Sequence, residues 1–86
     1  MIILFSKQFK KKIQKQSAKI KVLFVERLEL FKTGIPHQEL NIHKLKGEYM
    51  DYKSFNVTRD IRVVYKLISQ NTAYLIDIDT HSNLYK

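Results

Sequence analysis

The residues of this chain best suited to moving a proton or holding a phosphate are His43 and His81, Asp60, and the arginines Arg59 and Arg62. Histidine titrates at about pH 6.5, so both its forms are accessible near neutrality. A guanidinium is a fixed, always charged fork that matches phosphate oxygens. A metal centre built from His37, His43 and His81 is discounted, because their spacing follows no regular ligand pattern. Taken one at a time, each residue also has a plainer reading. A lone histidine in a small basic protein is usually a surface or core residue, His43 could hold a turn by a hydrogen bond, and Arg62 could pair with Asp77 or Asp79 across a sheet.

The elements that would position these groups are legible around them. Tyr52 to Leu67 holds two β-rich runs separated by Thr58-Arg59-Asp60, which reads as a hairpin. Strand alternation sends Phe55 and Val57 one way and Ser54 and Asn56 the other. Beyond the turn, Ile61, Val63 and Tyr65 oppose Arg62, Val64 and Lys66, with Tyr65 read as core. A third run, Tyr74 to Thr80, puts Tyr74, Ile76 and Ile78 on one face and Asp77, Asp79 and His81 on the other, after a turn at Gln70-Asn71. Three strands with one wet face suggest an antiparallel sheet that carries a site.

The N-terminal part supplies the covering layer. Ile2 to Phe5 reads as a short strand, and Ser6 as the N-cap of a helix with Phe9 and Ile13 one turn apart. A second helix begins near Ser17, with Ile20, Leu23, Phe24, Leu28 and Phe31 on one buried stripe, and Gly34 and Pro36 end it. Two such amphipathic helices are expected to pack as a hairpin on the apolar face of the sheet, an α+β arrangement with the site opposite. In the connection, Leu40, Ile42 and Leu45 are expected to anchor a segment presenting His43 and Lys46, with Gly47 making the turn into the first hairpin strand.

At 86 residues the chain is read as a single domain spanning 1–86. A domain of this size buries only roughly 60 to 65% of its unfolded surface, so a partner could add to its stability. The absence of cysteine excludes disulfides and thiolate zinc clusters. Met1 to Phe5 is too short for a signal-peptide core and lacks a basic leader, and a cytosolic, cytoplasmic location is expected. The net charge of +8 is concentrated: through Thr33 nine lysines and arginines face two glutamates, whereas from Gly34 onward seven face six acidic residues. Such a field favours a polyanion or an acidic protein. The helix lysines Lys10, Lys11, Lys12 and Lys15 are the expected contacts to such a polyanion, a solvated solubilising face being the alternative.

Three blocks, His43-Lys44-Leu45-Lys46-Gly47, Arg62-Val63-Val64-Tyr65 and Thr80-His81-Ser82-Asn83-Leu84-Tyr85, occur in that order, with Tyr52-Lys53 and Asp60-Ile61 between them. Together they resemble the RelE/ParE superfamily of toxin-antitoxin toxins, and most closely its YafQ branch. The resemblance covers essentially the whole chain. It implies the RelE-like toxin fold, an antiparallel sheet of about four strands with the N-terminal helical hairpin on one face. It also implies a ribosome-dependent, metal-independent mRNA endoribonuclease that needs no cofactor and is silenced by a cognate acidic antitoxin in a hetero-oligomer. By the same resemblance His81 is the general acid, His43 and Asp60 share the base role, and Arg62 stabilises charge on the phosphorane. Lys46, Lys53, Asn56 and Arg59 would bind substrate, and Tyr85 would stack on an unpaired base.

The chain departs from that pattern in three places. Asn56 stands where the YafQ branch has a second histidine, Phe55 replaces the second of a lysine pair found in the RelE branch, and Asp79 replaces a common glycine. Asparagine cannot shuttle a proton near pH 7, so catalysis would lean harder on His43, and Asp79 adds negative charge near the expected phosphate. Two other functions use the same fold: the gyrase inhibition of the ParE branch, and a non-catalytic module that docks nucleic acid or antitoxin.

Overall fold

The computed structural model describes residues 1–47 and 51–84. The chain runs β1 (Ile2–Phe5), α1 (Lys7–Gln14), α2 (Ala18–Lys32), a 3-10 turn (Gln38–Leu40), β2 (His43–Lys44), β3 (Lys53–Asn56), β4 (Ile61–Ser69), β5 (Thr72–Thr80) and the single-turn α3 (His81–Leu84). Five strands form one sheet in the order β1-β5-β4-β3-β2. Its hairpins are antiparallel, but β1 pairs with β5 in parallel, Ile2 opposite Thr72 through Phe5 opposite Leu75. The sheet is therefore mixed, and it has one strand more than the sequence suggests. The extra strand, β2, is only two residues long and pairs His43 with Ser54 and Lys44 with Lys53; an alternation pattern cannot be seen over two residues.

Both helices begin where hydroxyl side chains can take orphan amide protons. Ser6 accepts from Phe9 N at 2.9 Å, and Ser17 accepts from Ile20 N at 3.2 Å. Helix α2 stops at Thr33, followed by Gly34 in the left-handed region at φ 73°. The stripe residues do pack as one core: Phe9, Phe24 and Phe31 join Phe55, Val57, Val63, Tyr65, Ala73, Leu75 and Ile78, with Ile13, Ile20, Leu23 and Leu28 against them. Phe31 is the hinge of this cluster, its ring 4.8 Å from that of Phe55 and 4.6 Å, edge-on, from that of Tyr65. Burial pushes the Tyr65 phenol up to about 12, as expected of a core rather than a site residue.

The third strand does not keep the simple alternation. Val64 lies opposite Asp77 but Tyr65 opposite Leu75, so Ile76 is a bulge with no partner on β4. The phase flips there. Ala73 and Leu75 turn into the core beside Ile78, while Tyr74 and Ile76, expected inside with Ile78, are only half-buried. Ser6 secures the bulge, its Oγ donating to Ile76 O at 2.6 Å and its amide to Leu75 O at 2.9 Å. In the connection before β3, Leu40 and Leu45 are buried as anchors, whereas Ile42 is exposed.

Candidate functional site

Paired residues on neighbouring strands share a face of the sheet, so the register says which side chains stand together. Asn56 pairs with Arg62, and Arg62 with Asp79. One step along, His43 pairs with Ser54, Ser54 with Val64, and Val64 with Asp77. These two rows lie on the face opposite the aromatic core, because Phe55, Val63 and Ile78 between them point inward. The face is not uniformly wet: Ser54 and Val64 are fully buried and Asp77 is 4% exposed. His43 is exposed at its edge.

Local backbone contacts hold the His43 ring and the His81 main chain. Asn41 takes a left-handed conformation at φ 45°, and its carbonyl lies 2.7 Å from His43 Nδ1. A carbonyl can only accept, so Nδ1 carries a proton there and, in the neutral ring, the free lone pair is on Nε2. At the other end of the sheet Thr58 Oγ1 accepts from the amides of Asp60 and Ile61, shaping the β3–β4 turn. The turn then accepts from β5's continuation: His81 N donates to Asp60 O at 2.7 Å. Thr80 Oγ1 caps the one-turn α3 through Asn83 N at 3.2 Å. His81 and Asp60, separated by the length of two strands in sequence, are thereby adjacent.

Asp79 does not present a bare charge. Its carboxylate accepts from Lys12 Nζ at 2.9 Å, Asn83 Nδ2 at 2.8 Å and Thr80 N at 2.7 Å. Burial works to raise its pKa, but these hydrogen bonds and the lysine charge outweigh it and hold the carboxyl below its ordinary 3.8. Lys12 also lies 2.8 Å from Asp77 Oδ1, with Ile78 N donating to that same carboxylate oxygen at 2.8 Å. For Lys12, burial alone would lower the pKa, yet the hydrogen bonds and charges of Asp77 and Asp79 keep it above 10.5.

Not every expected residue joins this face. Lys53 pairs with Tyr65 and therefore points to the core side of the sheet, away from Asn56. Lys46 is exposed in the connection, and Arg59 at the turn beneath Arg62, whose Nη2 donates to Arg59 O at 3.4 Å. Tyr85 lies outside the described residues. Of the four helix lysines, Lys10, Lys11 and Lys15 are exposed, but Lys12 is committed to the two aspartates. Among the described residues no group of three or more His, Cys, Asp or Glu is arranged to hold a metal ion.

By sequence Lys12 is expected as an RNA contact, its pairing with Asp77 and Asp79 going unseen, and Arg27 is not singled out. Lys12 sits one position before Ile13, at the border of the buried face of α1. Arg27 lies three residues after Phe24 and four before Phe31, on the buried stripe of α2 itself. A cation at such a spacing is the signal that could have found both.

The fold is that of bacterial toxins of known structure. A metal-bound toxin from Helicobacter pylori is 26% identical and superposes with a TM-score of 0.77 over 99% of both chains. YafQ from E. coli is 20% identical with a TM-score of 0.72 over 98% of this chain and 97% of that one. YafQ as seen in the E. coli DinJ-YafQ complex is 22% identical with a TM-score of 0.70 over 98% and 97%. No curated protein sequence matches the chain. The family model for YafQ, described as a bacterial toxin of type II toxin-antitoxin systems, matches residues 1–86. The chain belongs to the YafQ toxin family. Among the described residues no helix is long and apolar enough to cross a membrane.

Proposed function

We propose that this toxin is an endoribonuclease that cuts ribosome-bound mRNA and is held silent by a DinJ-like antitoxin. The observation that supports it is the sheet face on which His43, Asn56 and Arg62 stand together, closed at one end by the segment of His81, whose backbone amide donates to the Asp60 carbonyl at 2.7 Å. Cleavage by 2′-hydroxyl attack needs a base at that hydroxyl, an acid at the leaving 5′-oxygen, and cations around the phosphorane. His43 Nε2 is the base, His81 the acid, Asp60 the group that orients the protonated ring, and Arg62 the cation. Asn56, Arg59 and Lys46 hold the strand and Tyr85 stacks on a base. Since each role has a protein side chain, the mechanism calls for no metal.

The silencing half of the proposal has its own support. An apolar groove of about 350 Å³ runs between the end of α2 and the sheet, walled by Phe31, Ile35, Pro36, Leu40, Ile42 and Leu67. Ile35, Ile42 and Leu67 are exposed in the isolated chain. An acidic antitoxin segment that folds on binding would cover this groove while its charge meets the +8 of the toxin.

Replacing His81 by Ala tests the catalytic reading. General acid catalysis is worth about 10²- to 10⁴-fold, so cleavage of ribosome-bound mRNA should fall by that range with the thermal midpoint unchanged. Wild-type cleavage by the variant would remove His81 from the mechanism, and DNA-gyrase inhibition without any mRNA cleavage would replace the proposal with the ParE-type activity.

A further inference from the structure

A second polar feature lies beside the catalytic row. A pocket of about 430 Å³ opens between α2, the 3-10 turn and the β3–β4 turn, and His43, Asp60 and His81 do not line it. Its cations are Arg27, Arg59 and Arg62, against the single carboxylate of Glu39. Two of its walls carry polar atoms shut away from solvent with no hydrogen-bond partner among the described residues: Arg27 Nε, a donor, and Asn56 Oδ1, an acceptor. Buried polar groups are nearly always paired, so an unpaired one needs a partner from outside the chain, water or ligand. Arg27 adds to this by occupying the buried stripe of α2, where a leucine would pack at lower cost.

A ligand that satisfied both atoms would offer an acceptor and a donor within the one pocket, with negative charge beside the guanidinium groups. We propose that the pocket is a single-stranded RNA subsite in which Arg27 binds a backbone phosphate and Asn56 Oδ1 accepts the proton of a ribose 2′-hydroxyl. DNA has the phosphate and lacks that hydroxyl; a carboxylate from an acidic protein would meet Arg27 and leave Asn56 unmet. The 2′-hydroxyl is the group by which a protein distinguishes the two nucleic acids at one position. Asn56 and Arg62 belong both to the pocket and to the catalytic row, so a strand crossing the row enters the pocket at the neighbouring nucleotide. The subsite rests on the RNA-cleaving reading for its substrate, but binding and cleavage are separately measurable.

The test is fluorescence anisotropy with a labelled short single-stranded RNA and the DNA of the same sequence, over a KCl series, in the His81→Ala background. Arg27→Gln should weaken RNA binding about 10-fold or more, as loss of a charge-assisted contact does. It should also flatten the log-log salt slope by about 0.7, one phosphate contact on a single strand. Asn56→Ala should weaken RNA and leave DNA unchanged, carrying the affinity ratio toward one. Arg59→Gln, on the exposed turn, should flatten the slope likewise and covers the case in which the α2 variant fails to fold. Unchanged RNA affinity and slope in both arginine variants would overturn the subsite, as would equal loss of RNA and DNA in Asn56→Ala. Loss of polyglutamate binding with RNA binding intact would overturn it in favour of an acidic peptide. Cleavage of the probe by the His81→Ala background protein would count against the catalytic reading while leaving the subsite standing.

Discussion

Replacing Lys12 by Met removes a charge while keeping most of the stem that packs beside Ile13, and its cost can be worked from the surroundings of the two aspartates. Asp77 has only 5% of its side chain exposed and Asp79 25%, whereas Lys12 retains 35%. Breaking one side of a fully buried ion pair costs about 3–5 kcal/mol, and an exposed pair is worth about 0–1 kcal/mol. With a buried acceptor and a partly solvated donor the expected loss lies between, at about 2 kcal/mol. In a domain of this size each kcal/mol moves the midpoint by about 4–8 °C, so the variant should melt about 8–16 °C below wild type by circular dichroism. The pH dependence follows from the two shifts. Asp79 has a lowered folded pKa, so its contribution is present above the ordinary value of 3.8 and is lost as pH falls through the lowered value. Lys12 has a raised one, so its contribution is present below 10.5 and is lost as pH rises through the raised value. The gap between wild type and variant should therefore be widest near neutrality and narrow toward both extremes. A midpoint within about 2 °C of wild type at pH 7 would refute this account of the clamp.

Because Lys12 is held by Asp77 and Asp79, the helix lysines expected to contact RNA reduce to Lys10, Lys11 and Lys15. Replacing those three by Gln should weaken ribosome binding and flatten its salt dependence by about one unit per lost contact, with His81→Ala leaving the slope alone; an unchanged slope would make them a solubilising face. Placing a charge in the apolar groove, as in Ile42→Glu, should weaken binding of a DinJ-like antitoxin about 10-fold or more without altering mRNA cleavage by the free toxin. Equal affinity for both forms would put the antitoxin elsewhere.

The apolar stripes of the helices, the capping serines and the hairpin follow from sequence because each is a local consequence of spacing and side-chain type. Phe24, Leu28 and Phe31 recur with the period of a helix, Ser6 and Ser17 precede those runs, and Phe55 and Val57 alternate as strand residues do. The ordered blocks that end in Thr80-His81-Ser82-Asn83-Leu84 likewise marked the YafQ family, which the match over residues 1–86 bears out. The faces of β5 do not follow from alternation alone, because a bulge is invisible until the partner strand is known. Ile76 looks like any alternating residue, yet its insertion opposite β4 turns Leu75 inward and Tyr74 outward.

Tertiary structure alone decided what depended on pairing across long sequence separations. Parallel pairing of β1 with β5 made the sheet mixed, and the pairing of His43 with Ser54 revealed a strand two residues long. The proximity of α1 to β5 turned Lys12 from a free surface cation into the partner of two aspartates 65 and 67 residues away. The same closure brought the His81 amide to the Asp60 carbonyl and set Arg27 of α2 across from Asn56 of β3. Residue types and local periodicity determine which groups are available and which faces are apolar. The loop closures and strand register that bring distant groups together are set by the packing of the whole chain.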